Sequence, residues 1–410
     1  LKIGHFFCPF LNFSNTFVKQ ENPKNRYYSQ SNLKKLGNKQ YFTILKEKSD
    51  ARVFKLIILI FITNLNIDLQ LYTMEKILFF FLLSIPQSFQ YMAKFFNHWH
   101  CVGIKENLDL SKPYKFNIGE LPLVMWKNKE NQYVTCLNIC KHMGSKLDNG
   151  IITPNGCLKC RYHGLEFSKA DRFGETVEHE GKLFWSYKPV EPTPHKIPFF
   201  NNKNYEKSFL QIDMEASLPD SAFNTMDLRH PEYVHKGGFG SSIPPTNIKQ
   251  YQFKDRIGLS FDYISNPMMK TINENVRTTH NFHMFVYPSF TWSRVSFNNK
   301  HLIIAVNLLP LENKKTRWYV TICHNYYKSP MQKNIMKGLA TFILSQDYFQ
   351  MKNQYPENKL KAAVLFNHIF KDEDVILWLR SEFNDYKFPD VNVCLDLFTE
   401  YNSNRTNFKP

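Results

Sequence analysis

Two short ligand pairs dominate the sequence: Cys140-x-His142 and, after a gap of 17 residues, Cys160-x-x-His163 followed by Gly164. With each pair on its own loop, two thiolates can hold one iron and two imidazoles another, the ligand set of a two-iron, two-sulfide cluster in which His replaces half of the Cys. Imidazole in place of thiolate removes negative charge from the cluster and raises its potential, so that it accepts electrons from a ferredoxin-like donor. Cys and His in pairs also make zinc sites, and Cys157-x-x-Cys160 has a zinc-type spacing of its own. A zinc ribbon would need a second Cys-x-x-Cys, whereas Cys136 and Cys140 have three residues between them. Cys136 and Cys157 therefore read as small buried hydrophobes.

A second constellation follows in NTMDLRHPEYVH, with Asn224, Asp227, His230, Pro231 and His235. Histidines five apart do not share a face of a straight helix, but Pro231 disfavours helical geometry at His230, and a kink can turn both imidazoles inward. One carboxylate more would make a two-His, one-carboxylate triad able to hold Fe(II) with open positions for O2 beside a substrate. Two acids compete for that place. Asp347 follows Ile335, Leu339 and Ile343 in steps of four, and an acid closing an apolar stripe needs something to neutralise it. Asp374, in KDEDVILWLR, reads better as a surface acid near the start of a C-terminal helix. Asn224 reads equally well as a helix-start residue. His280, His283, His324 and His368 stand singly and read as structural or pocket-lining.

The elements that must position these groups fall into two kinds. From Trp99 to Pro194 the chain alternates short extended runs (LPLVMW, QYVTCLNI, GIITPNGCLKC, KLFWSYKP) with Asn-, Asp- and Gly-rich turns, the pattern of a small antiparallel β domain. The Pro-rich EPTPHKIP at 191–198 makes a stiff boundary. Beyond it, Thr278–Phe297, Leu302–Leu309 and Thr316–His324 read as long antiparallel strands joined by turns at NNK and ENKK. Helices are predicted over Ala222–Val234 and Met331–Gln354, which gives an α+β second domain. Aromatics around 281–298 suggest an apolar pocket, although core packing accounts for most of them. The expected organisation is an extension at 1–86, a β domain at 87–200 and an α+β domain at 201–400.

Composition bounds the partners. The 410 residues are 43% hydrophobic and 16% aromatic, enough for two domains with cores. Residues 1–73, with eleven basic against four acidic side chains, carry +7 of the +16 net charge. No Lys/Arg run interleaved with aromatics follows, so nucleic acid is not expected as a partner. Half of the eight cysteines crowd into a 25-residue window, which reads as metal ligation in a reducing compartment rather than a disulfide framework. The apolar runs at 56–63 and 77–85 are shorter than the roughly 20 residues of a spanning helix. The stretch from Met74, MEKILFFFLLSIPQSFQ, has the length of a targeting segment or of a short packing helix. The extension is expected to be a targeting piece or to lie outside the mature protein.

Trp99-His100, Cys140-Lys-His142 and Cys160-Arg-Tyr-His163-Gly164 resemble the corresponding features of the Rieske non-haem iron oxygenases, the ring-hydroxylating type and its relatives. Met143 and Leu165 stand where that family usually has Arg and Trp. The resemblance implies an all-β Rieske domain followed by a helix-grip-like catalytic domain. It implies a 2Fe-2S cluster on Cys140, His142, Cys160 and His163, and a mononuclear Fe(II) on His230, His235 and Asp347, with Gln346-Asp347 and Gln354 standing where the family has its terminal ligand motif. Asp227 would hydrogen-bond both His230 and a cluster histidine, His163, of a neighbouring subunit. The implied activity is hydroxylation or dealkylation of a small organic substrate, aromatic or polycyclic, with O2, electrons from a ferredoxin or reductase, and a homotrimeric assembly. Gly237-Gly-Phe-Gly240 looks most like the monooxygenase-type members, and the compartment is expected to be the cytoplasm or an organelle such as the plastid. Two readings from other classes compete: a Rieske electron carrier, which has no use for the 224–235 motif, and a zinc-dependent nucleic-acid binder using the cysteines and the basic amino terminus.

Overall fold

A computed structural model describes residues 94–236, 243–264, 278–312, 315–354, 379, 382–383, 386 and 388–390. Internal contacts divide the chain into 1–86 and 87–410, and all described residues belong to the second unit. Asp374, His368, the Gly237–Gly240 stretch and the apolar runs at 56–63 and 77–85 lie outside the described residues. Among the described residues no helix is long and apolar enough to cross a membrane.

The first part is built mainly of short antiparallel strands, with single-turn 3-10 helices at Lys105–Asn107 and Lys169–Asp171. β1 (His100–Ile104), β2 (Tyr114–Ile118), β3 (Leu121–Lys127), β4 (Tyr133–Leu137), β5 (Ile151–Ile152), β6 (Leu158–Lys159), β7 (Glu166–Phe167), β8 (Glu175–His179) and β9 (Lys182–Ser186) form three three-stranded sheets. Their orders are β1-β9-β8, β2-β3-β4 and β5-β6-β7. One compact core, with Val124, Trp126, Val134, Leu147, Leu158 and Phe167, encloses Cys136, Cys140 and Cys160. Cys136 is thus a buried small side chain as expected, while Cys157 is only half-buried in the turn between β5 and β6.

The second part is one seven-stranded antiparallel sheet of β10 (Glu206–Met214), β11 (Thr246–Gln252), β12 (Arg256–Ile264), β13 (Thr278–Val286), β14 (Phe290–Phe297), β15 (Lys300–Pro310) and β16 (Thr316–His324). The order is β10-β16-β15-β14-β13-β12-β11, so that β10 crosses to the far edge and every other neighbour is a hairpin. The stretch 278–297 is two strands, since Tyr287-Pro288-Ser289 turns the chain and Pro288 has no N–H to give a ladder.

Helices pack on this sheet, as expected of an α+β domain: α1 (Leu218–Met226), α2 (His230–Tyr233) and α3 (Pro330–Lys352). The helix predicted over 222–234 is therefore two helices with a break at 227–229. Ser217 caps α1, its hydroxyl accepting from the Asp220 N–H, and Pro231 sits in the first turn of α2, where its missing N–H costs nothing. Helix α3 starts on a capping box of Ser329 and Gln332. It buries Met336, Leu344, Asp347 and Met351, whereas Ile335 is exposed together with Met331, Phe342 and Phe349.

The two parts are joined through side chains as well as through the chain. Strand β1 packs on β15 and β16. Lys182, at the start of β9 and 1% exposed, donates from Nζ to Asn307 Oδ1 on β15 (2.7 Å) and Thr321 Oγ1 on β16 (2.9 Å). Burial lowers the pKa of this amine, only partly offset by Cys101, Glu180 and Cys323 around it.

Candidate metal centres

The first site consists of two loops built alike. In each, the Cys N–H donates to a carbonyl five residues on (Cys140 to Ser145, 2.8 Å; Cys160 to Leu165, 2.8 Å). In each, a glycine N–H four residues on donates back to the Cys carbonyl (Gly144, 2.8 Å; Gly164, 3.0 Å). Both glycines have the left-handed φ that closes such a loop, +73° and +74°. Cys140 and Cys160 are buried, while His142 and His163 are exposed, their rings 4.7 Å apart between centroids. Thiolates inside and imidazoles at the surface form a donor set with a protected end and an accessible end. Burial alone would raise the Cys160 thiol. Hydrogen bonds from the Tyr162 and His163 backbones and from the Cys140 and Ser145 side chains outweigh it and hold the thiol below its ordinary range, toward the ligand form.

The second site draws on α2, the chain after it and α3. His230 Nε2 lies 3.6 Å and His235 Nε2 3.2 Å from Asp347 Oδ1, and one donor atom from each of the three residues lies within 4.8 Å of the others. Three ligands about 2.1 Å from one ion and at right angles would be about 3 Å apart, so this spacing fits a metal. Each Nδ1 faces an oxygen: the backbone carbonyl of Asp227 for His230 (2.8 Å) and Gln346 Oε1 for His235 (3.0 Å). With Nδ1 protonated, two Nε2 lone pairs meet a carboxylate, an arrangement that asks for a cation between them. The same demand appears in His235, where burial lowers the pKa but the Asp347 carboxylate and Gln346 raise it further, for a net increase.

Toward His230, Asp227 bonds the backbone with its carboxylate rather than the expected ring nitrogen. Its carboxylate accepts from the backbone N–H groups of Arg229 (2.8 Å) and His230 (3.2 Å) and stands 4.0 Å from His230 Nδ1. The His230 tautomer is held by the Asp227 carbonyl, because the carboxylate is engaged in opening α2. Asn224 is not a helix-start residue: it lies in the last turn of α1 and donates to Asp347 Oδ1 at 3.4 Å.

Beside the triad is a cavity of about 190 Å³ between α1, α3 and one face of the sheet. Polar side chains of β13 and β14 (Thr279, Asn281, His283, Thr291, Ser293) line one part, and apolar ones of β15, β16 and α3 much of the rest. Enclosure by protein, with the His230 ring nearby, pushes the His283 imidazole down to about 3. His280, by contrast, is exposed and paired with Asp262 at 2.7 Å, and His324 is buried against the Tyr326 carbonyl.

Residues 98–183 match the family model of the Rieske [2Fe-2S] domain. Over 277 residues the chain is 39% identical to chloroplastic pheophorbide a oxygenase of Oryza sativa subsp. japonica, covering 57% of this chain and 50% of that protein. It is 24% identical to chloroplastic flavonoid 8-hydroxylase 2 of Ocimum basilicum, covering 65% of this chain and 56% of that one. The chain thus spans about half the length of the curated relatives it matches. Among solved structures, NdmA of Pseudomonas putida CBB5 with caffeine superposes with a TM-score of 0.60 at 15% identity, over 72% of this chain and 91% of that one. The chain carries a Rieske domain and shares the fold of the Rieske non-haem iron oxygenases.

One residue that builds the Rieske domain gives no motif signal. Asn138 is buried, and its Oδ1 accepts from the N–H groups of Leu147 and Asp148, both at 2.8 Å, pinning the loop that carries Cys140 and His142. Gln346 was named only as part of the Gln346-Asp347 motif, and the fold adds that its Oε1 faces His235 Nδ1. His283, read from the sequence as structural or pocket-lining, lines the cavity.

Proposed function

We propose that the chain is a Rieske-type oxygenase. It would use O2 and electrons from a ferredoxin or reductase to hydroxylate or dealkylate a small organic substrate. The observation that carries this reading is the meeting of His230 Nε2, His235 Nε2 and Asp347 Oδ1 beside a largely apolar cavity, in a chain with a Rieske domain. Cys140, His142, Cys160 and His163 would hold the cluster, and His230, His235 and Asp347 a single Fe(II). Bound there, the cluster would supply electrons one at a time and the ferrous ion the activation of O2.

The protein's own contribution is placement and exclusion. The Asp227 carbonyl and Gln346 keep protons on the two Nδ1 atoms, so that both Nε2 lone pairs stay available. Asn224 steadies the Asp347 carboxylate. The β15, β16 and α3 side chains keep water from the substrate. His163 is exposed and the Asp227 side chain is 34% exposed, so both can be reached from outside, as a relay between subunits of a homotrimer requires. A plastid location is proposed from the relatives named chloroplastic.

Metal and sulfide analysis of the purified chain tests the reading. Three irons and two acid-labile sulfides per chain, with labelled oxygen from 18O2 entering a product in the presence of a generic reductase, are expected. Two irons and no third would leave an electron carrier, and stoichiometric zinc would favour the nucleic-acid binder.

A further inference from the structure

We propose that the outer face of α3 is a docking surface for an anionic lipid bilayer, on which the helix lies in the plane of the headgroups without crossing the membrane. This goes beyond the oxygenase reading and does not rest on it.

Helix α3 is apolar on two opposite sides. The inner side buries Met336, Leu344, Asp347 and Met351 and packs on β10 and the cavity. On the outer side Met331, Ile335, Phe342 and Phe349 are between 53% and 73% exposed. At about 100° per residue these four fall within about 40° of arc, and at about 1.5 Å per residue the stripe is about 27 Å long. Gly338 lies at the edge of that arc, and a Cβ there would meet nothing within 4 Å, so the described residues leave this side open. Large apolar side chains lined up in water mark a surface that something covers. The charges beside the stripe decide what. Between Asn325 and Asn353 the chain has four lysines and one acid. That acid, Asp347, is buried at the second metal site, and Lys333 is paired with Glu206. Lys328, Lys337 and Lys352 are exposed, the last two on the same flank of the stripe. A second copy of α3 laid on this face would bring lysines to lysines, with no exposed carboxylate on either helix to meet them. A bilayer with anionic headgroups suits both groups of side chains: its acyl boundary takes Phe, Ile and Met, and the lysine stems reach the phosphates. With its inner side already packed, α3 has one face to offer, which is the geometry of a helix lying on a membrane.

The test is co-flotation of the full, metal-loaded chain with vesicles of phosphatidylcholine alone or of equal parts phosphatidylcholine and phosphatidylglycerol. The chain is expected to float with the mixed vesicles and to bind the neutral ones at least about tenfold more weakly. Ile335→Gln, Phe342→Gln and Phe349→Gln combined, which keep a good helix former at exposed positions, should weaken binding at least about tenfold at low and high salt alike. Lys337→Gln with Lys352→Gln should weaken it about thirtyfold at low salt, about fivefold per lysine, and change little at high salt. Circular dichroism and bound sulfide show that each variant keeps its fold, and if the apolar variant does not, the lysine pair at the surface carries the test. Sedimentation without vesicles reports the oligomeric state. Failure of the parent chain to float with mixed vesicles would overturn the proposal. So would undiminished binding of the variants, which would place the lipid contact elsewhere in the chain, as in its basic first 73 residues, or a loss of self-association in the apolar variant with vesicle binding intact, which would seat a second copy on α3. A chain that floats as expected but holds no third iron would sink the oxygenase reading and leave this one standing.

Discussion

At the scale of single residues, the second site is a balance of charge in a small space. Asp347 is 5% exposed with two imidazole nitrogens and the Asn224 amide turned to it, so removing its charge removes what a cation would bind. Asp347→Asn should lower the iron content from three to two per chain, as measured by mass spectrometry, with sulfide unchanged. Gln346→Ala frees the His235 ring to rotate and should weaken binding of the third iron about tenfold to a hundredfold, the usual cost of losing a group that orients a ligand. A different balance holds at His100, which is fully buried and pushed from 6.5 to about 3 mainly by burial, against the Phe95 carbonyl that Nε2 bonds. The unfolded chain takes up that proton near 6.5 and the folded chain does not. The stability contributed by neutral His100 is therefore complete above about pH 6.5 and declines as the pH falls toward 3. Between pH 7 and 5 the loss is about 2 kcal/mol. His100→Gln should flatten the pH dependence of the urea midpoint by that amount relative to the parent chain.

At the scale of elements, the paired loops depend on backbone geometry more than on contacts. A Cβ on Gly144 would meet nothing within 4 Å, and one on Gly164 only the flexible Lys159 side chain at 3.3 Å. Gly144→Ala and Gly164→Ala should nevertheless each cost about 1–2 kcal/mol in urea unfolding and reduce the sulfide bound, because φ is left-handed at both. The ligand types and their spacing were legible in the sequence, since few chemistries use two Cys-His pairs, and so were β domain and α+β domain as classes. The face of α3 was read in part: Leu339 and Ile343 line the cavity with Asp347, but Ile335 does not. Each step of four residues overshoots a full turn by about 40°, so Ile335 and Asp347, three steps apart, point about 120° apart. Met336 and Leu344 share the buried side with Asp347, and Ile335 turns outward. Asn138 was invisible for another reason: its role depends on the 147–148 backbone, which only the fold brings near; His283, read as structural or pocket-lining, does line the cavity.

At the scale of the whole molecule, the proposed relay from His163 to Asp227 of a neighbouring copy has a direct consequence. His163→Ala and Asp227→Ala chains, each poorly active alone, should regain part of the product yield when refolded and assembled together, because mixed trimers contain junctions with both residues intact. Monomeric chains that are active in sedimentation-controlled assays would contradict it. Lys182 governs how freely the halves of such a molecule can be exchanged. Its amine is the shared answer to an amide on one strand and a hydroxyl on the next, in a place water does not reach. A chimera that grafts a foreign cluster module onto this catalytic scaffold inherits the two strands but not the lysine, and should dock poorly until Asn307 and Thr321 are replaced by hydrocarbon of matching size.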